Sequence, residues 1–114
     1  MKIDTNNPLI NHDGSLKEEA KEKIKKYGTN VECECPTHLM VVAKAINDFQ
    51  KYETSCLIND IKQKDIHEWL LAESQKIEKY VSNLIVELMR REGFIDNYYN
   101  FQDPNIEGKS KIDA

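Results

Sequence analysis

The chain has 114 residues, 39% hydrophobic and 32% charged, with only 4 Gly and 3 Pro. That excludes a low-complexity or collagen-like chain and leaves room for one globular domain with a lean core. Sixteen basic residues against twenty acidic ones give a net charge of −4, so the overall field favours neither nucleic acid nor an anionic membrane.

Residues 1–14 contain Asn6, Asn7, Pro8, Asn11, Asp13 and Gly14 with no apolar period, and read as an extended or disordered arm. They also lack the apolar core of a signal peptide, and no run in the chain approaches the ~20 residues of a membrane helix. The expectation is a cytoplasmic chain.

A first helix is expected over residues 16–27. Ser15 and Glu18 have the spacing of a capping box, Leu16, Ala20, Ile24 and Tyr27 form an apolar stripe, and Gly28 ends the helix. The mixed run KEEAKEKIKK reads as its solvated face. Residues 29–35 are a connector, and Pro36 suits the first turn of a second helix, over residues 36–57. There Leu39, Val42, Ile46, Phe49, Glu53 and Cys56 recur at steps of three and four, with Cys35 and His38 on the same stripe and Ala45 and Tyr52 beside it.

After a tight polar connection, a third helix is expected over residues 65–92. Its stripe is Ile66, Trp69, Leu70, Glu73, Ile77, Tyr80, Val81, Leu84 and Leu88, widened by Ile85 and Met89. Arg90 and Arg91 suit its C-terminal dipole, and Gly93 ends it. Trp69, Phe49 and Tyr80 read as core. Tyr98, Tyr99 and Phe101 are expected to fold back on the helices or onto a partner, and residues 104–114 read as a flexible tail. The fold class is therefore all-α, a single helical domain over residues 15–103 without strands.

Two long helices joined by a short turn make an antiparallel hairpin, and a hairpin cannot cover its own broad apolar faces. The first helix is too short to do so alone. The expected solution is a homodimer that closes a four-helix bundle. A three-helix monomer or docking on another protein are the alternatives.

Chemistry can reside in Cys33, Cys35, His38, Cys56 and His67; His12 stands alone in the arm. Cys33 and Cys35 are too close for an easy disulfide. Cys35 at a helix start has its thiolate favoured by the dipole, and Cys35-x-x-His38 lies on one helical face. At the other end of the helix, Glu53 and Cys56 stand one turn apart, and a bend near residue 61 brings His67 level with them. A carboxylate in an apolar stripe needs such a partner. Cys35 and Cys56 lie 21 residues apart on one helix, about 31 Å, so one chain cannot bring both to one ion. Two copies clasped head to foot, crossing near Ile46, would set Cys35 and His38 beside Glu53, Cys56 and His67 of the other copy. Those five residues are the candidate metal ligands, for zinc, or for iron if the carboxylate joins. The competing readings are a structural polar cluster with buried thiols and a redox or ligand-sensing role for Cys35. No nucleophile–base–orienter triad, phosphate-binding glycine loop or Glu-x-x-His pair is present.

The strings Glu34-Cys35-Pro36-Thr37-His38-Leu39, Phe49-Gln50-Lys51-Tyr52-Glu53-Thr54-Ser55-Cys56 and Asp65-Ile66-His67 resemble a helical segment that follows the DNA-binding head in some MerR-type bacterial transcription regulators. The resemblance spans residues 33–93. It implies a dimerising or effector-sensing module in which Cys35, His38, Cys56 and His67 recur together. Residues 1–32 are too short and too polar for the winged-helix head, so DNA binding is not implied. The expected function is a non-catalytic dimeric interaction or sensing module, with a transition metal at the intersubunit clusters. A small metalloprotein or metalloenzyme of helical-bundle type is the alternative.

Overall fold

The computed structural model describes residues 7–28, 34–59 and 61–102. It contains α1 (Glu18–Gly28), α2 (Cys35–Asn59), a 3₁₀ turn (Ile61–Gln63) and α3 (Lys64–Arg91). The described residues form no strand, only two isolated bridges, Ile10 with Leu16 and Ile95 with Phe101. The expected all-helical class and hairpin are what the fold shows, with α2 and α3 packed along their lengths. Cys33, residues 1–6 and the expected tail over residues 104–114 lie outside the described residues.

Residues 7–14 differ from the expected arm: with residues 15–17 they form a hydrogen-bonded loop docked on α3. Asn7 is buried and its Oδ1 accepts from the Leu9 amide at 2.9 Å. The Asp13 carboxylate accepts from both the amide and the hydroxyl of Ser15, at 3.0 and 2.6 Å. Those bonds hold its carboxyl below the usual range, the Ser15 hydroxyl contributing most. Ser15 is thereby engaged upstream and builds no capping box with Glu18. The helix instead starts two residues later than the apolar stripe does, with the Lys21 amide bonded to the Lys17 carbonyl at 2.9 Å.

Gly14 locks this loop to α3. Its φ is +95°, a region that disfavours any side chain, and its carbonyl accepts from the buried Ser82 hydroxyl at 2.7 Å. A Cβ at this position would meet the Gln75 carbonyl oxygen and the Lys79 Cβ, each at 2.8 Å. Gly14→Ala is therefore expected to cost about 1–3 kcal/mol, measurable by chemical denaturation. An unchanged midpoint would show that the loop is not held against α3.

The core forms where Leu16, Ala20 and Ile24 meet Val81, Ile85, Val86 and Met89 of α3 and Phe94 and Ile95 beyond it; Ile85 and Met89 are fully enclosed. The stripe read in the first helix is thus the buried one. Leu39, Met40, Ala43 and Ile46 of α2 pack against this cluster from the other side. Gly93 at φ +89° ends α3 as expected, with the Phe94 amide returning to the Met89 carbonyl at 2.8 Å. The following turn carries Phe101 back onto Tyr27, ring centroids 6.1 Å apart and nearly parallel. Tyr98 in contrast stays exposed.

The inner faces of α2 and α3 are not those marked by the strongest apolar period. Between the helices lie Glu53, Ser74, Glu78 and Val81, all buried, while Val42, Phe49, Tyr52, Ile66, Trp69, Ile77 and Tyr80 are exposed. Phe49, Trp69 and Tyr80, expected as core, are 40%, 60% and 46% exposed within the chain. The inner stripe is polar enough to escape a search for apolar residues, because hydrogen bonds across the hairpin satisfy it. Gln50 Nε2 donates to Glu78 Oε1 at 3.0 Å and to the Ser74 carbonyl at 3.3 Å, and Ser74 Oγ donates to the Leu71 carbonyl at 2.7 Å.

Candidate functional site

The expected thiol and imidazole residues stand at the two ends of α2. Pro36 is buried in its first turn, where a missing N–H is tolerated, and the His38 amide bonds to the Glu34 carbonyl at 3.0 Å. Cys35 and His38 face outward and are exposed. Cys35 and Cys56 are thiols, not disulfide partners.

At the other end, the 3₁₀ turn folds α3 back so that His67 Nδ1 lies 2.7 Å from Glu53 Oε1. The Glu53 side chain is 3% exposed and that of His67 12%. This is the pairing a carboxylate facing the inside of a hairpin requires, since a buried unpaired charge is strongly unfavourable. Cys56 does not complete the expected three-residue cluster. It stands one helical turn after Tyr52, whose hydroxyl donates to the Cys56 sulfur, and this holds the phenol above its ordinary value. Among the described residues of one chain, no three His, Cys, Asp or Glu side chains gather where they could hold a metal ion. Glu73, the other carboxylate on the expected stripe, is half-exposed and pairs with Lys76 at 2.8 Å.

Seven of the exposed large apolar residues, Val42, Phe49, Tyr52, Ile66, Trp69, Ile77 and Tyr80, share one face. With Gln50 marking the direction from α2 to α3, an advance of about 100° per residue places His38, Val42, Phe49 and Cys56 roughly a quarter to a third of a turn to one side. Ala45 and Tyr52 lie just beyond. With Ser74 marking the reverse direction, Ile66, Ile77, Tyr80 and Leu84 sit to one side of α3 by the same sense of rotation, and Trp69 a little further. Equal senses on antiparallel neighbours point to the same face. The loop over residues 7–17 and α1 cover the opposite face, where Leu16 and Ile24 meet Met40, Ala43, Glu78 and Ser82 around one cleft. The open face thus carries two parallel apolar rows, with Cys35 and His38 at one end and Cys56 at the other.

Sequence reasoning missed the polar seam of Gln50, Ser74 and Glu78 and the anchoring of Gly14. The available signal for the seam was the second stripe His67, Ser74, Glu78, Val81, Ile85, which has helical spacing but low apolar content. No family model, curated protein or solved structure matches this chain. Among the described residues no helix is long and apolar enough to cross a membrane.

Proposed function

We propose that the chain is a non-catalytic interaction module that pairs head to foot with a second copy of itself, closing a four-helix bundle over the open face. The observation that carries this reading is the pair of apolar rows. Val42, Phe49, Tyr52, Ile66, Trp69, Ile77 and Tyr80 are all exposed in one chain, a contiguous surface of the kind monomers seldom leave to water. The α3 row is interrupted by Glu73, whose carboxylate is already paired with Lys76 at 2.8 Å, so a second identical surface meets no unpaired charge there, as a two-fold interface requires. The first helix and the loop before it already occupy the other face of the hairpin.

Head-to-foot pairing of the α2 helices near Ala45 and Ile46 would bring Cys35 and His38 of one copy to Cys56 of the other. All three belong to the flank that faces the interface, and this supports a zinc or iron role at the two ends of the dimer. Glu53 and His67 are engaged with each other at 2.7 Å, so they fit better as the support behind such a site, and would join it only by giving up that bond. The resemblance to the segment after the DNA-binding head of MerR-type regulators agrees with a dimerising, sensing role, and no nucleic-acid binding is proposed.

The full chain, purified without a metal-chelating tag and titrated with zinc, is expected to take up about one ion per chain. Cys35→Ser and Cys56→Ser should each abolish uptake, although the two thiols are about 31 Å apart in one chain. Uptake that survives either change would place the ion elsewhere. No uptake by a chain that still dimerises would leave the interaction role without the metal.

A further inference from the structure

The face opposite the apolar rows holds a cleft of about 500 Å³ between α1, α2 and α3, within the size range of small-molecule sites. Its walls are Leu16 and Ile24 on one side and Met40 and Ala43 on the other. From α3 it is lined by Glu78, which is only 4% exposed. One carboxylate oxygen of Glu78 accepts from the Gln50 amide at 3.0 Å. The second accepts no hydrogen bond, yet no fully enclosed side-chain oxygen or nitrogen among the described residues lacks a partner. That oxygen therefore keeps contact with open space, and the open space Glu78 lines is the cleft. Lys21, Lys25 and Lys44 also border the cleft; Lys21 pairs with Glu18 at 3.5 Å and Lys44 with Asp48 at 3.0 Å, and Lys25 stands exposed. Among the described residues no cationic side chain pairs with Glu78.

A buried carboxylate lining a cleft with apolar walls, held by one neutral donor, has the chemistry of a receptor for a cation. We propose that this cleft binds a small amphipathic amine, whose protonated nitrogen meets the second oxygen of Glu78 while its apolar body lies between Leu16, Ile24, Met40 and Ala43. An acid of the same shape would set its own charge against the buried Glu78, with only the exposed Lys25 to offset it, and should bind more weakly than the amine. The site lies on the far side of the hairpin from the proposed dimer face, so it stands whether or not the chain pairs.

The test uses the full chain, labelled with ¹⁵N, and three probes of one shape: 2-phenylethylamine, 2-phenylethanol and 3-phenylpropionate. The amine should give saturable shifts at Ile24, Met40 and Ser82 and bind at least about tenfold more tightly than the alcohol, the factor of one charge-assisted hydrogen bond. The acid should bind more weakly than either. Glu78→Gln keeps the shape and an acceptor for Gln50, and should bring the amine down to the affinity of the alcohol. The proposal is overturned if the acid binds as well as the amine, if E78Q leaves the preference intact, if shifts gather instead around Phe49 and Trp69, or if no probe saturates.

Discussion

Replacing His67 with Leu is expected to destabilise the chain by about 3–5 kcal/mol, because it leaves the Glu53 carboxylate buried with no partner. Glu53 is 2% exposed and its hydrogen bond runs to His67 Nδ1. The loss does not come from the imidazole's own packing, and a second variant separates the two causes. Glu53→Leu combined with His67→Leu removes both polar groups together, and such exchanges are often close to neutral. The double variant should therefore recover most of the stability lost by the single one, a coupling readable in a urea denaturation cycle. Glu53→Gln should fall between them, since the amide still bonds the ring. If H67L melts like the parent chain, Glu53 is not sequestered inside the hairpin.

The second large effect concerns the open face. Phe49→Glu with Trp69→Glu puts two charges in the middle of the apolar rows, on positions that are 40% and 60% exposed in one chain. Within a chain this costs little, and helical content by circular dichroism should stay as it was. Between copies the two changes remove four large apolar side chains from a two-fold interface, each already about half buried in its own chain and so worth about half of the 1.5–3 kcal/mol of a full burial. Together they should weaken self-association by roughly 10²–10⁴-fold. Ile58→Glu is the matched control: Ile58 is 73% exposed but is rotated away from both rows, and it should leave association unchanged. Equal effects at all three positions would mean that general surface polarity governs the behaviour, without a defined face.

The elements were legible where side-chain chemistry and burial agree. In α1 and just before it the residues that face the core, Leu16, Ala20 and Ile24, are all apolar, so periodicity alone located the buried stripe. The bond between Glu53 and His67 was legible for a different reason: a carboxylate among apolar positions demands a partner, and the bend near residue 61 supplies only a few. What periodicity could not separate was the inside of the hairpin from its open face. The larger apolar side chains, Phe49, Trp69, Ile77 and Tyr80, lie on the open face, while Gln50, Ser74 and Glu78 hold the inside by hydrogen bonds. An apolar count favours the first set, and only pairing across the helices reveals the second. The loop over residues 7–17 was illegible because its order comes from α3. Gly14 meets Gln75, Lys79 and Ser82, more than 60 residues along the chain, and no local pattern records such a contact.

These two faces give the chain a division of labour. The covered side carries the core and the cleft around Glu78, and the open side carries the apolar rows with thiols at their ends. Everything proposed for the open side depends on a second copy lying across it. Sedimentation equilibrium of the unmodified chain at micromolar concentration weighs that directly: the expected mass is twice the 13.3 kDa of one chain. A mass of 13.3 kDa that does not rise with concentration would show that these rows face water, and the dimer, with its shared thiol sites, would have to be abandoned.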